Sequence, residues 1–276
     1  MTEGLTPEQI LRWHIEAGAD EAIGERPIDR FALPAARPVA ETQRGRPSGT
    51  SHPVTARPAT TFTQSAAPKG APVSQSAQLA QACATLDALK KAIEAYDGCA
   101  LKRTCQRTVF SDGNPKARVM LIGEAPGREE DEQGLPFVGP SGKLLDRMLA
   151  SIGLDRDQVY ITNVIYWRPP GNRKPEPSEV DQCLPFMERQ IELIDPAVMM
   201  FLGGAAAAAI LGKTEGVTKL RGRWHDYSAP GLQRPIPALP TYHPAYLLRT
   251  PIHKREAWRD LVTLRKRLSE LSIGTS

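Results

Sequence analysis

The sequence predicts an α/β fold, in which a three-layer α/β/α sandwich is built around a short parallel sheet. Short apolar runs typical of buried strands alternate with longer segments whose apolar residues recur at helical spacing. Such alternation favours parallel strands covered by helices on both faces. The composition is that of a globular protein, since 41% of the 276 residues are hydrophobic and 24% are charged. No run reaches the roughly 20 apolar residues that a membrane-spanning helix needs.

The predicted elements follow one another in a regular order. A helix whose apolar residues run from Leu79 to Ile93 and which ends near Gly98 comes first. Four buried strands are predicted at 117–123, 159–164, 198–202 and 238–242. Helices are predicted between and after them at 141–152, 178–194, 205–211 and 253–271.

Gly-rich and polar residues follow each predicted strand. In chain order these are Gly123 with Glu124, Asn163, Gly203 with Gly204, and His243. Because ligands of open α/β sheets bind at the carboxyl ends of the strands, we expect a site where these residues meet.

The prolines divide the chain into three parts. Eight prolines lie between Arg26 and Val73, in a stretch without helical or strand periodicity, which predicts a disordered Pro/Ala-rich linker at 27–77. Ahead of it, residues 1–26 are predicted to form an amphipathic helix capped by Thr6. The folded domain is predicted at 78–276. The N-terminal helix either docks on this domain or binds a protein partner, and the sequence leaves both open.

Positive charge is concentrated near the C-terminus. Residues 217–276 hold 11 basic and four acidic side chains, a net charge of +7, whereas the whole chain carries +4. Neutralised phosphates dominate nucleic-acid affinity, so this excess favours a polyanionic ligand. A solvated basic helix around 265–267 explains part of the same charge, and on charge alone both interpretations stay open.

The segment 123–149 contains the strongest local signal. Glu124 lies in a Gly-rich turn, Phe137 in a rigid loop, and Ser141 at the start of a helix, where backbone amides favour an anion. The alternative places Glu124 in a surface ion pair and Phe137 in the core. A phosphate-binding loop is excluded, because Phe137 stands where that motif needs glycine and Leu144 where it needs serine or threonine.

The four cysteines indicate free thiols. They show no C-x-x-C spacing, which gives zinc or a cluster little direct support, and four in 276 residues do not form a disulfide framework. The N-terminal residues also lack a basic region followed by an apolar stretch. We therefore expect a cytoplasmic protein in a reducing compartment.

Five ordered segments resemble family 4 of the uracil-DNA glycosylase superfamily. They read GEAPGREED, GLPFVGPSGKLLD, VYITNVIYWRPPGNRKPEPSE, RQIELIDPAVMMFLGGAAA and YHPAYLLR. With the flanking helices, the resemblance covers about 79–271. It implies an α/β enzyme of base excision repair that flips uracil out of DNA and hydrolyses its N-glycosidic bond, leaving an abasic site.

The resemblance also implies roles for individual residues. Glu124 and His243 would be catalytic, the glutamate by placing water and stabilising the cationic sugar, and the histidine by donating to uracil O2. Substrate-binding residues would be Gly123, Ala125, Gly127, Phe137 and Asn163. DNA-binding residues would be Ser141, Arg168, Arg173, Lys174, Tyr246, Leu247, Leu248 and Arg249.

The sequence departs from the resemblance at the cofactor. Family 4 members typically hold a [4Fe–4S] cluster on four cysteines. Cys99 and Cys183 match two of those positions, whereas Tyr96 and Trp167 occupy the other two. Since neither aromatic residue suits iron, we predict that no cofactor or metal is bound and that the two rings fill the space.

Two alternatives accompany the glycosylase prediction. One is a non-catalytic or weakly catalytic module that binds uracil or abasic sites in DNA, which the presence of Glu124, Phe137, Asn163 and His243 disfavours. The other is a relative that joins covalently to DNA through a histidine, but the matching stretch 169–175 has none. The expected partner is uracil-containing DNA. We expect the protein to be a monomer and not to bind a membrane.

Overall fold

The computed structural model describes residues 74–271. The predicted helix at 1–26 and most of the predicted linker lie outside the described residues, so both stay predictions. The first described helix, α1, is Gln75–Gln81 and crosses the domain boundary predicted at residue 78.

The sheet has six strands in the order β1-β3-β2-β4-β6-β5. Its four central strands are β2 Val119–Gly123, β3 Tyr160–Asn163, β4 Val198–Leu202 and β6 Ile236–Thr241, and neighbouring strands among them run parallel. The antiparallel edges are β1 Asp112–Gly113 and β5 His225–Tyr227. The four predicted strands are thus confirmed.

Helices cover both faces of the sheet, as predicted for a three-layer sandwich. One core lies between the sheet and α1, α2 Leu86–Ala95, α5 Pro177–Ile194 and α6 Gly204–Leu211. The other lies between the sheet and α4 Pro140–Ala150, α8 Pro244–Arg249 and α9 Lys254–Glu270. Neighbouring residues of a strand pack into opposite cores: Met120 lies in the first core and Leu121 in the second.

Several short elements were not predicted. The helix expected from Leu79 to Gly98 is two helices, because Thr85 accepts a hydrogen bond from the Ala88 amide and caps a new start. Helices α3 Arg128–Gln133 and α7 Val217–Leu220, like α8, are only four to six residues long. They are too short to show a helical period. Within 74–271, no helix combines the length and apolar character needed to cross a membrane.

Candidate active site

A cavity of about 620 Å³ opens at the carboxyl ends of the parallel strands. Its lining includes ten of the predicted site residues, namely Glu124, Ala125, Gly127, Phe137, Ser141, Asn163, Arg173, Lys174, His243 and Arg249. The predicted residues Gly123, Arg168, Tyr246, Leu247 and Leu248 are not in this lining. The edge of the sheet where the sequence places polar residues is therefore the edge that carries the cavity.

Gly123 and Asn163 end adjacent parallel strands and lie in register. A Cβ atom on Gly123 would stand 2.3 Å from Asn163 Oδ1 and 2.7 Å from Phe137 Cζ. Both side chains thus converge above Gly123, and a Cβ atom there would force them to shift. Asn163 is 1% exposed, and its Oδ1 is buried without a hydrogen-bond partner in the described structure. A buried acceptor of this kind is rare and calls for a ligand or water.

Phe137 combines a buried ring with an unusual backbone. The residue has a φ of 56°, a left-handed conformation uncommon outside glycine. Its carbonyl would lie 1.6 Å from a Cβ on Gly142, so glycine is required there as well. The ring centroid is 5.6 Å from that of His243, at an interplanar angle of 30°. Phe137 is 4% exposed and also lines the cavity. It is therefore both a core residue and a site residue, the two alternatives that the sequence left open.

Glu130, which the sequence analysis did not select, bonds to the backbone of two cavity loops. Its Oε1 accepts hydrogen bonds from the Val138 and Gly139 amides, both at 3.0 Å, and its Oε2 accepts one from the Gly127 amide at 3.1 Å. A Cβ on Gly127 would stand 2.6 Å from the same Oε2. The carboxylate therefore leaves no room for a larger residue at 127.

Arg156, also not predicted, contacts the Phe137 loop on its carbonyl side. Its guanidinium donates to the Pro136 carbonyl at 3.3 Å and to the Phe137 carbonyl. Ion pairs with Asp112 and Asp146 hold the guanidinium in place. Arg156 is 19 residues from Phe137 in sequence, and no local pattern links the two.

His243 directly follows β6 and caps helix α8. Its Nδ1 accepts a hydrogen bond from the Ala245 amide at 3.1 Å. Burial, with the nearby charge of Arg249, lowers the pKa of His243 to about 4. The imidazole is therefore neutral at physiological pH, and because Nδ1 is the acceptor, its proton is on Nε2. The site thus contains a neutral hydrogen-bond donor.

Glu124 is a partly buried carboxylate at the start of the loop after β2. Burial raises the pKa of Glu124, and the positive charge of Lys174 opposes that rise. Both residues line the cavity. A carboxylate with a raised pKa beside a cation is suited to placing water or stabilising a positive centre.

The basic residues predicted to meet DNA differ in their partners. Arg173 lines the cavity and pairs with Glu179 through two hydrogen bonds of 2.9 and 2.6 Å. Arg168 lies outside the lining, and its Nε donates to Asn172 Oδ1 at 2.7 Å. Lys174 and Arg249 are exposed at the cavity.

The predicted insertion segment requires a correction. Leu247 is 1% exposed and packs in the core with α9, so it is not accessible to DNA. Tyr246 also faces inward, since its hydroxyl lies 2.6 Å from His253 Nδ1 and its ring stacks on Tyr242 and His253. Leu248 is 41% exposed and Ile252 is 78% exposed. The exposed large apolar side chains of this segment are therefore Leu248 and the unpredicted Ile252.

The four cysteines are free thiols. Cys99 and Cys183 are buried, and their interaction with each other, together with burial, raises the pKa of Cys183. The hydroxyl of Tyr96 donates to Gln182 Oε1, and Trp167 Nε1 donates to Thr108 Oγ1 at 3.0 Å. Within the described residues, no group of three or more His, Cys, Asp or Glu side chains could hold a metal.

Comparisons with known proteins identify a superfamily. The family model described as "Uracil DNA glycosylase superfamily" matches residues 110–262. A "Type-4 uracil-DNA glycosylase" of Sulfurisphaera tokodaii is 39% identical over 194 residues, which cover 68% of this chain and 86% of that protein. One from Archaeoglobus fulgidus is 40% identical over 191 residues, covering 68% and 93%. A "Type-5 uracil-DNA glycosylase" of Thermus thermophilus is 33% identical over 120 residues, covering 38% and 54%.

Proposed function

The chain belongs to the uracil DNA glycosylase superfamily and is a uracil-DNA glycosylase, and from this premise we propose which residues excise the base. Glu124, Phe137, Asn163 and His243 line one cavity. The observation that supports this set most directly is the convergence of Asn163 Oδ1 and the Phe137 ring above Gly123. This arrangement suits a flat base that carries a hydrogen-bond donor.

Asn163 and Phe137 recognise the flipped base. The unpaired Oδ1 of Asn163 accepts the N3–H of uracil, while the amide nitrogen donates to O4. Cytosine presents the opposite donor and acceptor pattern at these atoms, and would leave the buried Oδ1 unpaired. The Phe137 ring stacks on the base. Flipping the nucleotide costs about a few kcal/mol, which these contacts offset.

His243 stabilises the leaving base. Its Nε2–H donates to uracil O2, where negative charge builds as the glycosidic bond breaks. The bond from the Ala245 amide to Nδ1 orients the ring before substrate arrives, so little reorganisation is needed during the reaction.

Glu124 acts on the sugar side of the bond. Its carboxylate orients the attacking water and stabilises the oxocarbenium-like sugar of the transition state. The cation of Lys174 favours the ionised form that this role requires. Water adds to the sugar carbon as the base leaves with the bonding electrons, and the proton that the water loses is balanced by protonation of the uracil anion, so neutral uracil and an abasic site remain.

DNA is held at the rim of the cavity. Lys174 and Arg249 contact phosphates, Ser141 places the amides of α4 toward one phosphate, and Leu248 enters the space that uracil vacates. Arg173 contributes less charge to DNA because Glu179 already neutralises it. Arg168 contacts DNA from outside the cavity lining, whereas Tyr246 packs against Tyr242 and His253 and does not touch DNA.

No [4Fe–4S] cluster is bound. The cluster of the type 4 resemblance needs four thiolates, and at the matching positions this chain has two thiols and two aromatic rings. The Tyr96 ring packs edge-on against Phe186, with a centroid distance of 5.2 Å, and Trp167 is fully buried. These rings take the volume of the missing ligands.

The state of the protein in the cell is proposed from the sequence. We expect a cytoplasmic monomer, in agreement with four free cysteines. A possible protein partner of the segment 1–26 stays a prediction. Sedimentation of the full chain, with and without uracil-containing DNA, measures the oligomeric state.

Excision is tested directly with uracil-containing single- and double-stranded oligonucleotides. After incubation the DNA is treated with alkali and run on a denaturing gel, with a native gel alongside. Cleaved strands support the proposal. An intact strand that is retarded only on the native gel identifies a DNA-binding module instead, and an adduct that survives denaturation identifies a covalent trap.

A further inference from the structure

Two charged side chains of opposite sign hold the loop that carries Phe137. We propose that Glu130 and Arg156 are positioning residues that keep the Phe137 ring where the flipped uracil stacks. The inference deepens the proposed function and rests on it. Neither residue belongs to the set predicted to bind substrate.

Glu130 links this loop to the loop of Glu124. One carboxylate oxygen accepts hydrogen bonds from the amides of Val138 and Gly139, just after Phe137. The other accepts one from the amide of Gly127. The side chain is nearly buried, with 7% exposure for the residue. Hydrogen bonds from amides to a carboxylate are stronger than neutral ones. One group therefore sets the distance between the stacking ring and the candidate water-placing carboxylate.

Arg156 acts from the opposite side of the loop. It donates to the carbonyls of Pro136 and Phe137, while Asp112 and Asp146 fix its guanidinium. The left-handed backbone of Phe137 is unfavourable for a residue with a side chain, so the loop needs outside bonds to hold it. Glu130 accepts hydrogen bonds from amides of this loop, and Arg156 donates hydrogen bonds to its carbonyls.

Small errors in the position of a reacting group are costly. A displacement of about 1 Å can lower an enzymatic rate about 100-fold. If either bond set is lost, the loop relaxes and the ring no longer lies over the base. We therefore expect slower excision rather than weaker DNA binding, because the exposed cations Lys174 and Arg249 belong to other loops of the cavity.

The central test is Glu130→Gln, which puts an NH2 group where one carboxylate oxygen now accepts a hydrogen bond from a backbone amide. The matched control is Asp131→Asn. Asp131 is the next residue of α3, is 2% exposed, and accepts from the Gln106 and Arg107 amides but from neither cavity loop. Both variants should lower the melting temperature. Only Glu130→Gln should slow single-turnover excision, by about 10- to 100-fold, with DNA affinity within about threefold of wild type.

A double-mutant cycle separates positioning from general destabilisation. In a Phe137→Ala background, Glu130→Gln should change the excision rate by less than about threefold. The inference is wrong if Glu130→Gln and Asp131→Asn slow excision equally, or if the full effect of Glu130→Gln persists without the ring. If wild type excises no uracil, the proposed function has failed and the inference fails with it.

Arg156→Lys provides a second variant should Glu130→Gln not fold. Lysine keeps the positive charge between Asp112 and Asp146 but lacks the fork that reaches both carbonyls. It should slow excision at unchanged DNA affinity. Its control is Arg189→Lys, at an arginine of similar exposure that donates to the Cys83 carbonyl and pairs with Glu192, outside the cavity lining. Equal rates for the two variants would overturn the role of Arg156.

Discussion

Substitution of His243 by asparagine separates the two roles of this side chain. The imidazole caps α8 through Nδ1 and offers Nε2–H to the cavity. Asparagine is also a good N-cap, but its shorter side chain presents no donor at the Nε2 position. One preorganised donor to a developing charge contributes about 3–4 kcal/mol. At about 1.4 kcal/mol for each factor of ten, His243→Asn should slow excision between about 100- and 1,000-fold.

The assay is single-turnover excision of uracil from a labelled oligonucleotide, combined with thermal unfolding. His243→Ala loses the cap as well as the donor, so it should excise as slowly as His243→Asn but be less stable by about 1 kcal/mol. A rate for His243→Asn within about threefold of wild type would refute the donor role. Equal stability of the two variants would refute the capping role.

Four further predictions concern the pH dependence of stability, the pH profile of excision, DNA and iron. Because folded His243 has a pKa of about 4, below the ordinary histidine value of 6.5, only the unfolded chain takes up this proton between those two pH values. The unfolding free energy of wild type should therefore fall more steeply than that of His243→Asn as the pH drops through this window, as measured by denaturant titration. Lys174→Ala removes a charge that lowers the pKa of Glu124, so the loss of excision on acidification should begin at a higher pH; an unshifted rate profile would contradict the pairing. Leu248→Ala should slow excision from duplex DNA by about tenfold, because it removes a wedge that offsets about a few kcal/mol of unstacking. Excision from single strands should be slowed much less. Metal analysis of aerobically purified protein should find less than about one iron per chain, and about four would overturn the proposal that no cluster is bound.

The central strands were predictable because parallel strands are buried on both faces and read as apolar runs. The prediction at 198–202 matches β4 residue for residue. The edge strands β1 and β5 have two and three residues, too few for any periodicity. Thr85 ended one helical pattern and began another without interrupting the apolar spacing. Only its hydrogen bond to Ala88 distinguishes two helices from one.

The candidate site was predictable where a residue type follows a strand. Glu124, Asn163 and His243 sit at strand ends, and sheet geometry brings them to one cavity. The insertion segment was not predictable to the residue. Leu247 and Leu248 are neighbours of the same type, yet packing against the sheet buries one and exposes the other.

The sequence by itself determined where the four central strands lie along the chain and which residue types follow them, and it predicted two aromatic residues at positions that resemble cluster ligands. Only the tertiary structure shows which side chains bond to the loop that carries Phe137. Glu130 and Arg156 bond to backbone amides and carbonyls of the Phe137 loop, and every residue has such groups. Which of them are free to bond depends on the folded path of the loop, so no pattern of side chains along the chain can indicate the pairing.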